Sequence, residues 1–90
     1  MISVCVPVFN VDVRPLARQL EVQIRDLDMH VEVLFFDDYS EESFRIINRH
    51  ISEFDGITYV EMDFNCGRAA IRNRLGKLAS QPWLLFMKIL

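Results

Sequence analysis

The sequence contains no glycine-rich phosphate loop of either common kind. Neither GxGxxG nor GxxxxGK[ST] occurs, and "FNVDVRP" stands where a dinucleotide-binding turn would follow the first strand. Both a Rossmann dinucleotide site and a P-loop are therefore disfavoured. The two cysteines, Cys5 and Cys66, show neither CxxC nor metal spacing. They read as plain thiols in a reducing compartment. No apolar run approaches the roughly 18 residues of a membrane span. "MISVCVPVFN" lacks the basic segment of a secretory leader. The net charge of −3 argues against general binding to nucleic acid. The expectation is a soluble cytoplasmic domain, with peripheral contact at the cytoplasmic membrane left open.

What is present is apolar and evenly spread. A chain of 90 residues that is 51% hydrophobic and 26% charged is globular, and it is one domain at most. Ile2 to Phe9 is β-branched and apolar and reads as a strand, with Pro7 placed near its end. Asp12 and Pro15 suit the start of a helix whose inward face is Val13, Leu16, Ala17, Leu20, Ile24 and Leu27. Val31 to Phe36 is a second strand, apolar enough for burial on both faces. Ser40 is the expected N-cap of a second helix, with Glu41 and Glu42 in its first turn and Phe44, Ile47, Ile51 and Phe54 inward. Ile57 to Met62 makes a third strand, Arg68 to Ala79 a third helix, and Trp83 to Leu90 a fourth strand. Alternation of this kind predicts an α/β three-layer sandwich around a mostly parallel four-stranded sheet, with right-handed crossovers. The apolar run to Leu90 reads as a domain truncated at its C-terminus.

In open α/β sheets, ligands bind beyond the carboxyl ends of the strands. The unusual residues gather at those ends: Pro7 to Asn10, Asp37 to Ser40, and Asn65 to Arg68. An adjacent acid pair such as Asp37 and Asp38 divides its work, one carboxylate to a ligand and one to backbone N–H groups. The plainer alternative is a loop cap beside a solvated acid, acids being common in turns. A receiver domain would place its acid pair after the first strand, so that reading fits poorly. Arg68 and Arg72 stand one turn apart at a helix start, where cations oppose the helix dipole. The anion that offsets them is either a ligand pyrophosphate or one of Asp37, Asp38 and Asp63. Gly67 suits a positive φ, Cys5 a core thiol, and His30 and His50 the surface.

Taken together, "SVCVPVFN", "EVLFFDDYSEES", "NCGRAAIRN" and "ASQPWLLFM" resemble the N-terminal half of family 2 inverting glycosyltransferases with a GT-A fold. The likeness spans nearly the whole chain, with the motifs in order. It implies a Rossmann-like half-domain that binds the nucleotide of a nucleotide-diphosphate sugar, in the first place a UDP-sugar. Pro7, Phe9 and Asn10 would line the nucleotide pocket. Asp38 would recognise the uracil ring with Asp37 in support, and Gly67 and Arg72 would lie near the nucleotide and phosphates. The family's metal-binding D-x-D, which would hold Mg²⁺ or Mn²⁺, is missing: Lys88 and Leu90 stand at its acidic positions. No cofactor is therefore expected in this chain, and no catalysis by the chain alone. The alternative is a non-catalytic α/β binding or assembly module. The fourth strand, with one charge in eight residues, predicts a homo-oligomer through an exposed sheet edge.

Overall fold

The computed structural model describes residues 2–65, 67–78 and 83–86, without the side chains at 68, 72, 75, 78, 83 and 84. Four strands, β1 (Ile2–Val8), β2 (Val31–Asp37), β3 (Ile57–Glu61) and β4 (Trp83–Phe86), alternate with three helices, α1 (Arg14–Arg25), α2 (Glu42–Asn48) and α3 (Arg68–Leu78). A 3₁₀ turn, Arg49–Glu53, continues α2. All strand pairs are parallel, in the order β3-β2-β1-β4. The expected α/β class and parallel sheet are what the chain forms.

Each strand turns alternate side chains to opposite faces. One face of the sheet (Val4, Val6, Val8, Val33, Phe35, Ile57) packs with Val13, Ala17 and Leu20 around α1 and with Ile51 below α2. The other face (Cys5, Leu34, Phe36) packs with Met62 and with Ile71 of α3. β2 is buried without a break from Val33 to Asp37, as its continuous apolar run required. Burying a side chain such as Phe35 contributes about 1.5–3 kcal/mol, and this accounts for strands so poor in polar residues.

Pro7 sits inside a central strand, which is tolerated for a reason of direction. Ile2 donates its N–H to His30, and Val8 accepts from the N–H of Asp38, so even-numbered residues of β1 bond toward β2. The missing N–H of Pro7 therefore faces the β4 side, beyond the last described β1–β4 pair, Cys5 with Phe86.

Several boundaries differ from those expected. β1 stops at Val8, leaving Phe9 outside it, while β2 runs one residue further to Asp37, whose carbonyl accepts the Met62 N–H. The cap residue of α1 is Val13 rather than Asp12, although Asp12 Oδ1 does accept the Arg14 N–H. Leu27 lies past the helix end and is exposed, so it leaves the inward face. Ser40 does not cap α2, because Asp37 takes its hydroxyl; Glu41 holds the cap position. Helix α2 tightens into the 3₁₀ turn after Asn48, where Ser52 Oγ donates to the Arg49 carbonyl. Expectations for Cys66, Ala79 and residues 87–90 lie outside the described residues.

Candidate functional site

Because the strands are parallel, their carboxyl ends form one rim. α1 leads from β1 to β2 on one side, whereas α3 leads back from β3 to β4 on the other. The order therefore switches between β1 and β4, and Phe9 leaves β1 at that switch.

The acid pair divides as strand alternation requires. Asp37 faces the α1 and α2 side and is fully buried. Its Oδ2 accepts the Ser40 N–H at 2.8 Å and its Oδ1 accepts the Ser40 hydroxyl. A buried carboxylate needs such donors, and here they also hold Tyr39 at a φ of 60°. Asp38 points to the α3 side and is 7% exposed. Its N–H donates to Val8 at 2.8 Å, its carbonyl accepts Asn65 Nδ2 at 3.1 Å, and its Oδ2 accepts the Gly67 N–H at 3.0 Å. Asp38 thus joins the ends of β1 and β2 to the loop before α3. Opposed directions keep the two charges apart, and donors offset each separately.

Asn10 is drawn into the same arrangement. At a φ of 50°, its N–H donates to Ser40 Oγ at 2.8 Å and its Oδ1 accepts the Glu41 N–H at 2.8 Å. Ser40 Oγ is thus donor to Asp37 and acceptor from Asn10. Pro7 is half-buried and Phe9 is 54% exposed. Gly67 has a φ of 83°, the positive value expected of it. The Arg72 side chain lies outside the described residues, as does that of Arg68.

The structure brings Phe9, Asn10, Asp37, Asp38 and Gly67 to one rim, and it adds Phe64, Arg45 and Asn48, to which the sequence reading gave no role. An exposed aromatic follows each of the first three strands: Phe9, Tyr39 and Phe64. The Arg45 guanidinium lies 4.9 Å from the centre of the Tyr39 ring. Ser40 and the fully buried Asn48 carry loop contacts. Asn48 had a legible signal: it lies i+4 from Phe44 and falls within the inward stripe Phe44, Ile47, Ile51.

Electrostatics around the rim follow from the pairs. Arg14 bonds Asp12 through Nε at 3.0 Å and through a terminal nitrogen at 2.8 Å, which holds the Asp12 carboxyl below its ordinary value. Arg49 pairs with Glu61 at 2.7 Å. Burial first, then the charges of Asp37 and Glu61, push the Tyr59 hydroxyl well above its usual range. Away from the rim, Ser3 donates to Glu32. Burial, and then Glu32, raise the Cys5 thiol, in keeping with a core cysteine. Among the described residues, no group of three or more His, Cys, Asp or Glu is placed to hold a cation.

The sequence profile described as "Glycosyl transferase family 2" matches residues 3–88. A search of curated proteins finds no significant match. Among solved structures, residues 1–349 of S. aureus TarS superpose with a TM-score of 0.70 at 23% identity, over 97% of this chain and 26% of that one. The same TarS fragment in complex with UDP-GlcNAc gives 0.70. A mannosyltransferase from Pyrobaculum calidifontis, PcManGT, in complex with GDP-Man and Mn²⁺, gives 0.65 at 25% identity, over 88% of this chain and 24% of that one. The chain spans about a quarter of the length of these structures.

Proposed function

Since the chain belongs to glycosyl transferase family 2, we propose that its rim binds the nucleotide of a nucleotide-diphosphate sugar, UDP-sugars foremost. The observation that carries this reading is Asp38, a nearly buried acid at a strand end beside the topological switch, tied to Gly67 at the start of α3. A carboxylate offers about four acceptor sites, so it can serve the Gly67 N–H and a base N–H together. In this reading Asp38 accepts from the N–H of a pyrimidine base, while Asp37 and Ser40 hold the turn that presents it. Phe9 and Asn10 form the wall on the β1 side, with Pro7 behind them. Gly67 and Arg72 serve the phosphate side. TarS in complex with UDP-GlcNAc and PcManGT in complex with GDP-Man lend support as relatives in fold.

The family reaction is an inverting displacement at the sugar C1, for which this chain supplies nucleotide recognition. The residues present do not fit the family's metal. Lys88 and Leu90 occupy the D-x-D positions in sequence, and neither an ammonium nor an alkyl side chain is a ligand for a divalent cation. No step is assigned to a metal, and transfer by the chain alone is not expected.

Calorimetric titration with UDP tests the reading. Removing a charged acceptor forfeits about 1.5–3 kcal/mol, so Asp38→Ala is expected to weaken binding about tenfold or more. Equal affinity in the two proteins removes Asp38 from the site, and no binding by the wild type overturns the reading.

A further inference from the structure

The loop from Phe9 to Val13 leaves β1 at the switch point and is held by side chains that belong to another part of the chain. At its upper end, Asn10 is fastened to Ser40 and Glu41. At its lower end, the side chain of Asn48, the last residue of α2, grips it twice. Asn48 Oδ1 accepts the Val13 N–H at 2.9 Å, and Asn48 Nδ2 donates to the Val11 carbonyl at 2.8 Å. Asn48 itself is fully buried. Val13, the residue before α1, has no side-chain cap of its own, and its carbonyl accepts the Ala17 N–H. The amide of Asn48 therefore completes the start of α1 from across the fold. A buried amide with one donor and one acceptor matched to one loop is specific to that loop's path, because an apolar side chain would leave both backbone groups unsatisfied.

We propose that Asn48 is a positioning residue for the nucleotide rim: through its two bonds to Val11 and Val13 it sets the course of the 9–13 loop and so places Phe9 and Asn10. The inference rests on the nucleotide reading of the rim and extends it to a residue with no ligand contact. Asn10 holds a left-handed backbone that asparagine tolerates better than most residues but does not prefer. With the lower tie gone, the Ser40 and Glu41 contacts and the packing of Val11 and Val13 are left to keep it there. A site whose binding-competent form is populated a tenth of the time shows an apparent affinity about tenfold weaker.

The test uses the full chain with UDP as probe. Asn48→Leu, near in size, removes both bonds; Asn48→Asp keeps the acceptor for Val13. Ile51→Val is the control, a loss of one buried methyl in the adjoining 3₁₀ turn, on a side chain that cannot hydrogen-bond the loop. Amide exchange by NMR reads the loop directly. In Asn48→Leu, Asn10 and Val13 are expected to exchange at least tenfold faster, with Val6 and Phe35 unchanged, and UDP affinity to fall about tenfold. Asn48→Asp is expected to lie between this and wild type, and Ile51→Val to leave affinity unchanged. Loop exchange and affinity unaltered in both Asn48 variants overturn the positioning role. Equal loss of affinity in Ile51→Val also overturns it, since the effect would then be general stability. Wild type that fails to bind UDP overturns the nucleotide reading instead, while loop exchange in the variants still decides whether Asn48 sets the loop.

Discussion

Tyr59 presents the clearest conflict at the residue scale. Its ring packs against the core from β3, yet its hydroxyl is buried with no hydrogen bond among the described residues. Asp37 and Glu61 lie near enough for their charges to oppose its ionisation, and Arg49 acts weakly the other way. Folding therefore favours the neutral phenol. A group with its folded value raised contributes stability that is whole below its unfolded value, near 10 for tyrosine, and that fades as pH climbs toward the folded one. The urea midpoint of the wild type is expected to fall above about pH 10, and that of Tyr59→Phe to fall less. Near pH 7 the variant is expected to match or exceed the wild type by up to about 1 kcal/mol, since it removes an unsatisfied hydroxyl. A clear loss of stability at pH 7 would mean that the hydroxyl makes a bond to Asp37. The adjacent acids show the same rule met in full. Asp37 is buried deeper than Tyr59 but is supplied with two donors from Ser40.

Among the elements, helix starts were the least legible feature of the chain. Ser40 and Asp12 both have the chemistry of a cap, and each is displaced from that position. Ser40 is claimed by Asp37 from the preceding strand end, and α1 takes a bond from Asn48 instead of a local cap. Cap propensity describes what a side chain does toward the helix that follows it; here Asp37, three residues before Ser40, and Asn48, 35 residues beyond Val13, take that place. Two glycines at the ends of elements, Gly67 and Gly56, separate conformational strain from crowding. A Cβ at Gly67 would meet nothing within 4 Å, whereas one at Gly56 would lie 2.7 Å from Ile24 Cδ1, both at positive φ. Gly67→Ala is expected to cost about 1–2 kcal/mol from backbone alone. Gly56→Ala should cost more, unless Ile24 changes rotamer. Urea denaturation of both variants decides it; equal losses would show that Ile24 yields freely.

On the scale of the whole molecule, the sheet order leaves β4 at one edge. Leu85, within its apolar run, is 54% exposed, while its β1 partner Val4 is 8% exposed. An edge strand of this composition presents backbone groups for pairing beside apolar area, and a small chain would gain stability by covering them. A twofold dimer through β4 is the proposed assembly. Light scattering at micromolar concentration is expected to give about twice the 10.6 kDa chain mass, and Leu85→Lys to return it to monomer. A stable wild-type monomer would refute the exposed-edge argument. Among the described residues, no helix is long and apolar enough to cross a membrane.

Local pattern by itself determined the succession of strands and helices, the burial of β2 on both faces, and the gathering of Phe9, Asn10, Asp37, Asp38 and Gly67 at strand ends. Each of these follows from the period of apolar residues or from the one-way run of parallel strands. Only the tertiary structure decided how those residues are employed. Period-2 alternation says that Asp37 and Asp38 face opposite ways, but not that Ser40 waits on one side and Gly67 on the other. Nor does any local rule bring Asn48 to Val11 and Val13, about 35 residues away along the chain. A hydrogen bond between distant residues exists only once the core that joins α1, β1 and α2 has formed. The sequence could mark Asn48 as a polar residue on an apolar face, and the packing of that face supplied its partners.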